Sequence, residues 1–295
     1  MKRFRAASAC LLLFFALFFA MPAIPARADV GPKPSVQIDV RGLPDGVCYG
    51  TLLSETEWSG PHSVWNGDES ARDPRDLGEE IWTAFQEYED EDGYFFLQIA
   101  WRVDETNSLR WGYYPPHRFK VLLYFPESGA FAVSDVCERY AFDSYFTVRL
   151  SDGAPASGET AILRAQRSYD YSRELFGFLM RVLLTVAIEL LIALAFCFSR
   201  RQLSFVLAVN LLTQILLNAA IGLAAYRSGA FAAILLYIAA EIGVFLIEAI
   251  LYAIFLPRRT GKKRRRAVYV FYALVANAAS FGAGWALAFV LPSIF

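Results

Sequence analysis

The sequence predicts a membrane protein built from an exported all-β, sandwich-like domain followed by a four-helix α transmembrane bundle. Three observations predict it. Residues 29–170 alternate apolar and polar side chains in short runs broken by Gly, Pro, Asn and Asp, as half-buried strands and turns do. Four apolar segments come next, 175–198, 203–226, 231–256 and 267–291, each longer than the ~20 residues that cross a hydrocarbon core. Charge is divided between the two parts: residues 29–172 hold 25 acids against 12 bases, and residues 173–295 hold 4 acids against 12 bases. The acidic first part excludes nucleic-acid binding, which requires a basic footprint. The bases of the second part flank apolar segments, where helix orientation and anionic lipid headgroups account for them.

Residues 1–28 read as a secretory signal peptide. Lys2, Arg3 and Arg5 form its positive start, Cys10–Ala20 its apolar run, and Ala26-Arg27-Ala28 an A-x-A cleavage site. An uncleaved first span is the alternative, and under either reading residues 29–170 are exported.

In the exported part, Val36–Val40 alternates and ends at the turn cluster Gly42-Leu-Pro-Asp-Gly46. Val47–Ser54 reads as a second strand, and the aromatic run Tyr94–Val103 as a longer one. Phe119–Phe125 and Ala130–Ser134 flank Pro126-Glu-Ser-Gly129, a hairpin turn. Ser144–Leu150 completes the strands, and Glu79–Tyr88 reads as a short helix. Six or so short strands with regular turns suggest a β-sandwich.

The mature start Asp29-Val-Gly-Pro-Lys-Pro-Ser35, together with Thr51–Ser54, Phe125–Glu127 and Tyr140–Phe146, resembles a family of uncharacterised bacterial membrane proteins. The resemblance implies an exported β domain followed by several spans, and it implies no activity or site residues.

Sidedness is set by Pro257–Arg266, a loop with seven positive charges and no negative one. Such a loop resists translocation and stays on the cytoplasmic side. With it inside, Arg200 and Arg201 also fall inside and Arg227 outside, nine positive charges against one. The C-terminus then lies outside, as does the β domain that the signal peptide exports. The expected location is a bacterial plasma membrane.

Polar residues recur on one face of each span. Arg181, Thr185 and Glu189 make a stripe on the first. Asn210, Gln214 and Asn218 make another on the second, and Tyr237, Glu241, Glu248 and Tyr252 a third. The fourth carries Asn277 beside the small-residue ridge Ala276, Ser280, Gly284 and Ala288, which lets another backbone approach. Tight connections make the neighbours antiparallel and set Asn210 level with Glu248, and Asn218 near Glu241. One buried cluster of Glu189, Asn210, Gln214, Asn218, Glu241 and Glu248 is therefore expected, with Asn277 joining and Arg181 nearer the outer face. Such residues serve either as interhelical glue or as a path for protons, cations or a polar substrate.

Little else carries chemistry. No span holds a histidine, which excludes His-Glu-x-x-His metalloprotease and Ser–His chemistry within the membrane. No phosphate loop or cofactor motif occurs, no Cys-x-x-Cys suggests zinc, and His62 and His117 read as surface loop residues. The acidic run Glu87–Asp92 reads as a solvated hairpin tip, without the alternating spacing of a calcium loop. Cys48 and Cys137, both exported, either form a disulfide or remain two buried thiols on different strands. Trp111, Tyr113 and Tyr114 lie in an aromatic and proline loop that either packs or stacks a ligand.

Two functions are compatible with these features. The first is a non-enzymatic surface protein whose β domain binds a protein or small-molecule ligand, with the bundle as its anchor in the bilayer and association into oligomers open. The second is a small transporter or channel subunit that passes protons or cations at the intramembrane Glu/Asn/Gln cluster.

Overall fold

The computed structural model describes residues 31–68, 77–150, 155–259 and 265–290, the signal-peptide segment lying outside them. The chain divides into two units, Pro32–Tyr169 and Asp170 onward, each with its own core.

The first unit is β-rich. Strands β1 (Ser35–Arg41), β2 (Tyr49–Ser54), β5 (Trp101–Arg102), β6 (Ser108–Trp111), β7 (Arg118–Phe125), β8 (Ala130–Ser134), β10 (Asp143–Leu150) and β11 (Thr160–Arg167) form one sheet in the order β5-β2-β7-β8-β11-β10-β1-β6. The two-residue β9 (Cys137–Glu138) pairs with β7, and β3 (Trp58–Ser59) with β4 (His62–Ser63) makes a separate hairpin. Alternation sets the faces. Val36, Ile38 and Val40 of β1, Phe119, Val121, Leu123 and Phe125 of β7, and Phe146, Val148 and Leu150 of β10 fill one common interior. The connection 103–107 carries the chain from edge strand β5 to edge strand β6. Val103 N donates to Cys48 O, and Val40 N to Asn107 O, both at 2.8 Å, so the two edges are drawn together into a nearly closed barrel.

A single rolled sheet replaces the expected sandwich, and the cause is β11. It pairs in parallel with β8 and antiparallel with β10. Without it, β5-β2-β7-β8 and β10-β1-β6 would be two facing sheets. Its sequence, TAILRAQR, hides its role: Leu163 is buried while Ile162 is 72% exposed, so no clean alternation marks a strand.

The outer face of β2 and β7 is also covered. Helix α1 (Glu79–Glu87) lays Ile81, Trp82 and Phe85 over Leu53, Leu122 and Tyr124, with Phe96 and Ala100 beside them. This explains the fate of Tyr94–Val103, expected as one long strand. Only Phe95 bridges to Ser54 before β5, because Gln98 takes a left-handed φ of 63° and its amide Nε2 donates to Ser63 O at 3.1 Å. The aromatic run serves as a cover over the sheet.

The second unit is helical: α2 (Tyr171–Ala195), α3 (Arg200–Phe255) and α4 (Arg266–Val290). All three are long and apolar enough to cross a membrane. Asp170 caps α2 by accepting from Arg173 N at 3.0 Å. Within α3, Gly229 has φ 85° and ψ 169°, which a side chain would strain, and the helix breaks there into two arms. The arms run antiparallel, since Leu217 packs against Ala240 and Val244. Each arm exceeds ~20 residues, so four segments of membrane-crossing length result.

Candidate functional site

The helical unit reverses the usual distribution of polarity. Leu183, Leu191, Leu211, Leu235, Leu246 and Phe271 are exposed, whereas Glu189, Asn210, Gln214, Asn218, Glu248, Asn277 and Ser280 are buried. Spacing puts the polar set on one line. Residues three or four apart share a helix face, so Asn210, Thr213, Gln214 and Asn218 line the first arm of α3 and Glu241 and Glu248 the second.

At the centre lie two carboxyl groups. Glu248 accepts from Thr213 Oγ1 at Oε1 and from Asn277 Nδ2 at Oε2, both at 2.8 Å. Glu189 accepts from Ser280 Oγ at 3.3 Å, and Tyr272 Oη donates to its backbone oxygen at 3.1 Å. Asn277 and Ser280 are one turn apart on α4, so the two glutamates meet on the same ridge. Asn210 lies beside Glu189 and donates Nδ2 to Tyr252 Oη at 3.0 Å. Four buried polar atoms here have no hydrogen-bond partner among the described residues: Glu189 Oε2, Asn210 Oδ1, Asn277 Oδ1 and Gln214 Nε2. Buried polar groups are ordinarily paired, so each of these marks a demand left open.

The two ends of the site differ. On the side of Phe196 and Leu256, the rings of Tyr252, Tyr269, Tyr272 and Phe198 are buried and packed at tilted angles, with Tyr252 and Tyr272 5.6 Å apart. Gln202 locks that end by donating to Leu256 O at 3.1 Å and Tyr269 Oη at 3.2 Å. Toward Gly229, polar residues continue. Asn218 donates to Gln214 O at 2.9 Å and accepts from Arg181 Nε at 2.9 Å, while Glu241 hydrogen-bonds Tyr237. Arg181, Tyr237 and Glu241 are only partly buried. The polar trail ends in partly buried residues on one side, and buried aromatic rings fill the other.

The predicted cluster residues thus come together, but in two groups. Glu189, Asn210, Glu248 and Asn277 form the centre; Gln214, Asn218 and Arg181 form the trail, and Glu241, bonded to Tyr237, lies level with it on the second arm of α3. Arg181 engages the Asn218 amide. The small-residue ridge of α4 turns inward: Ala276 and Ser280 are buried, and a Cβ on Gly284 would meet Tyr237 Oη at 3.6 Å. Sequence reading missed Thr213, Tyr272, Tyr269 and Gln202 as parts of the site. Thr213 shares the face of Asn210 and Gln214, a periodic signal that was available; the tyrosines and Gln202 sit among apolar residues and carried none.

Two open alternatives for the β unit are decided, and one expectation, the solvated acidic tip, is corrected. Cys48 and Cys137 form no disulfide; both are free and buried. Cys48 precedes Tyr49, which pairs Tyr124, while Cys137 pairs Phe119, so they stand about 20 Å apart along β7 at ~3.3 Å per residue, far beyond the ~6 Å of a bridged pair. Burial pushes the Cys48 thiol up to about 12 and the Cys137 thiol up to about 11. Trp111 offers no ligand surface, being 1% exposed and edge-on to His62 at 5.5 Å, whereas Tyr113 and Tyr114 are 39% and 37% exposed. Burial also lowers the affinity of His62 for its proton. The acidic run is not merely a solvated tip. Its Asp90 carboxylate, 1% exposed, holds Lys120 Nζ at 2.9 Å, and Asp92 adds a second contact at 2.6 Å. Among the described residues no group of three His, Cys, Asp or Glu side chains could hold a metal ion.

Comparison of the chain with protein-family models, curated proteins and solved structures returned no match.

Proposed function

We propose that this is an integral membrane protein whose helical unit binds a positively charged species, a proton or a cation, at Glu189 and Glu248 and passes it along the polar trail. The signal-peptide pattern and the charge bias of the connections support a bacterial plasma membrane, with the β unit outside and the basic loop 257–266 inside. In that orientation the trail through Gln214, Asn218 and Glu241 faces the exterior and the aromatic seal faces the cytoplasm.

The observation that carries this reading is a pair of fully buried carboxyls whose contacts at the centre are neutral hydroxyl and amide donors. Interhelical glue needs only hydroxyls and amides, which contribute ~0.6 kcal/mol each and carry no charge to be desolvated. Carboxyls in hydrocarbon are costlier, and they mark ion and proton pathways. The test is flux into liposomes containing the full chain, read with internal pH and cation dyes. Glu248→Gln and Glu189→Gln should insert normally and lose most of the flux. Equal flux in wild type, variants and empty liposomes would refute the reading.

The exported β unit as a partner-binding module is the second reading. It rests on the half-exposed Tyr113 and Tyr114, with the Lys33 ammonium 5.1 Å from the Tyr114 ring centroid. The soluble unit would retain a partner on its own, and Tyr113→Ala with Tyr114→Ala would release it.

A further inference from the structure

The site's open valences say which positively charged species it fits. We infer that the species held between Glu189 and Glu248 is a dehydrated monovalent metal cation of the alkali series, and this inference rests on the proposed function above. Three oxygen atoms in the centre lack any donor among the described residues: Glu189 Oε2, Asn210 Oδ1 and Asn277 Oδ1. Their residues come from α2, the first arm of α3 and α4, and all three are more than nine-tenths buried. The residues are neighbours: Asn210 lies beside Glu189, Ser280 joins Glu189 to α4, and Asn277 lies one turn from Ser280 with its amide on Glu248.

A proton relay does not need the two amide oxygens, since an amide neither accepts nor releases a proton near neutral pH. An acceptor oxygen with no donor is what a hard cation replaces its hydration shell with. The one free carboxylate oxygen, on Glu189, with two amide oxygens suits a single positive charge. Calcium takes six to eight oxygens, several of them carboxylate, and among the described residues no third Asp or Glu joins Glu189 and Glu248 in a group that could hold such an ion. The guanidinium of Arg181 bonds Asn218 in the trail, one turn or more from the central carboxyls. Donors already occupy both oxygens of Glu248, whereas the Ser280 hydroxyl occupies only Oε1 of Glu189, so Glu189 Oε2 is the free carboxylate oxygen.

The experiment uses the full chain in nanodiscs, titrated with sodium, lithium or potassium chloride against choline chloride at constant ionic strength. A ligand that binds only the folded state raises the melting temperature saturably. The expected result is a saturable rise of several degrees with an alkali cation and none with choline. Asn277→Ala and Asn210→Ala should each weaken the apparent affinity at least tenfold; should one fail to fold, the other and the wild-type titration still decide. Stability indifferent to every alkali cation, with a proton flux that Glu248→Gln abolishes, would overturn the metal assignment and leave the proposed function standing. Indifference to cations with no flux at all would remove both.

Discussion

The two units solve opposite problems with the same twenty side chains. The β unit buries Val36, Ile38, Phe119, Val121 and Phe146 and keeps most of its charge outside. The helical unit buries Glu189, Asn210 and Glu248 and exposes Leu183, Leu211 and Phe271. In water the apolar interior supplies the driving force, at ~25 cal/mol per Å² removed from solvent. In lipid that force vanishes between helices, and polar contacts with close packing hold the bundle. A buried charged group is therefore an exception in the first unit and the organising theme of the second. In the β unit the exception is Lys120 with Asp90, and it is closed: each charge has its partner. In the bundle the two central carboxyls rest on hydroxyl and amide donors.

The contrast is broken most severely at Lys120. Lys120→Met should cost about 3–5 kcal/mol, because Asp90 stays buried with its charge unanswered. Tryptophan fluorescence during urea unfolding would measure the loss, and an unchanged midpoint would show that solvent reaches Asp90. Burial alone would lower the Lys120 value, but the bonds to Asp92 and Asp90 outweigh it and raise it. A value raised in the folded state stabilises below the unfolded ~10.4 and is lost as pH climbs through the folded value, so the β unit should weaken only in strong alkali.

Trp111→Ala should cost a comparable ~3–5 kcal/mol, the penalty of emptying a filled interior. Gly50→Ala sharpens the point from the other side. An added Cβ would meet Leu109 Cδ2 at 2.8 Å and Leu123 Cδ2 and Val103 Cγ2 at 2.9 Å, so overpacking should cost about 1–3 kcal/mol. In the bundle, Glu248→Gln should change stability by only about 0.6 kcal/mol, read by denaturation in mixed micelles, while removing flux. A loss of several kcal/mol there would mean that Glu248 is structural. The smallest effect is chemical: Cys48 and Cys137 should resist alkylation in the folded chain, react after denaturation, and leave electrophoretic mobility unchanged by reductant.

Much of the fold was legible where one face of an element meets one environment. The strand Val36–Val40, the hairpin Phe119–Ser134 and helix Glu79–Glu87 carry their burial pattern openly. The bundle centre was legible too, since Asn210, Gln214 and Asn218 repeat every four residues in otherwise apolar sequence and can only face inward. Legibility ended where a residue's role depends on a distant neighbour. Asp90 looked like one acid among many until Lys120 met it, and Trp111 stood open between packing and ligand stacking until the sheet rolled around it.

Two things could be read along the chain: the division into an alternating part and a part with helices apolar and long enough to cross a membrane, and which side chains of the second turn inward. Both come from local composition and period. Long-range packing alone revealed that β11 joins two would-be sheets into one, that the two cysteines lie at opposite ends of β7, and that Glu189 and Glu248 share the Asn277–Ser280 ridge with oxygen atoms to spare. Those outcomes are set by strand pairing and helix packing between residues far apart in the chain, and no periodicity along one segment encodes its partner.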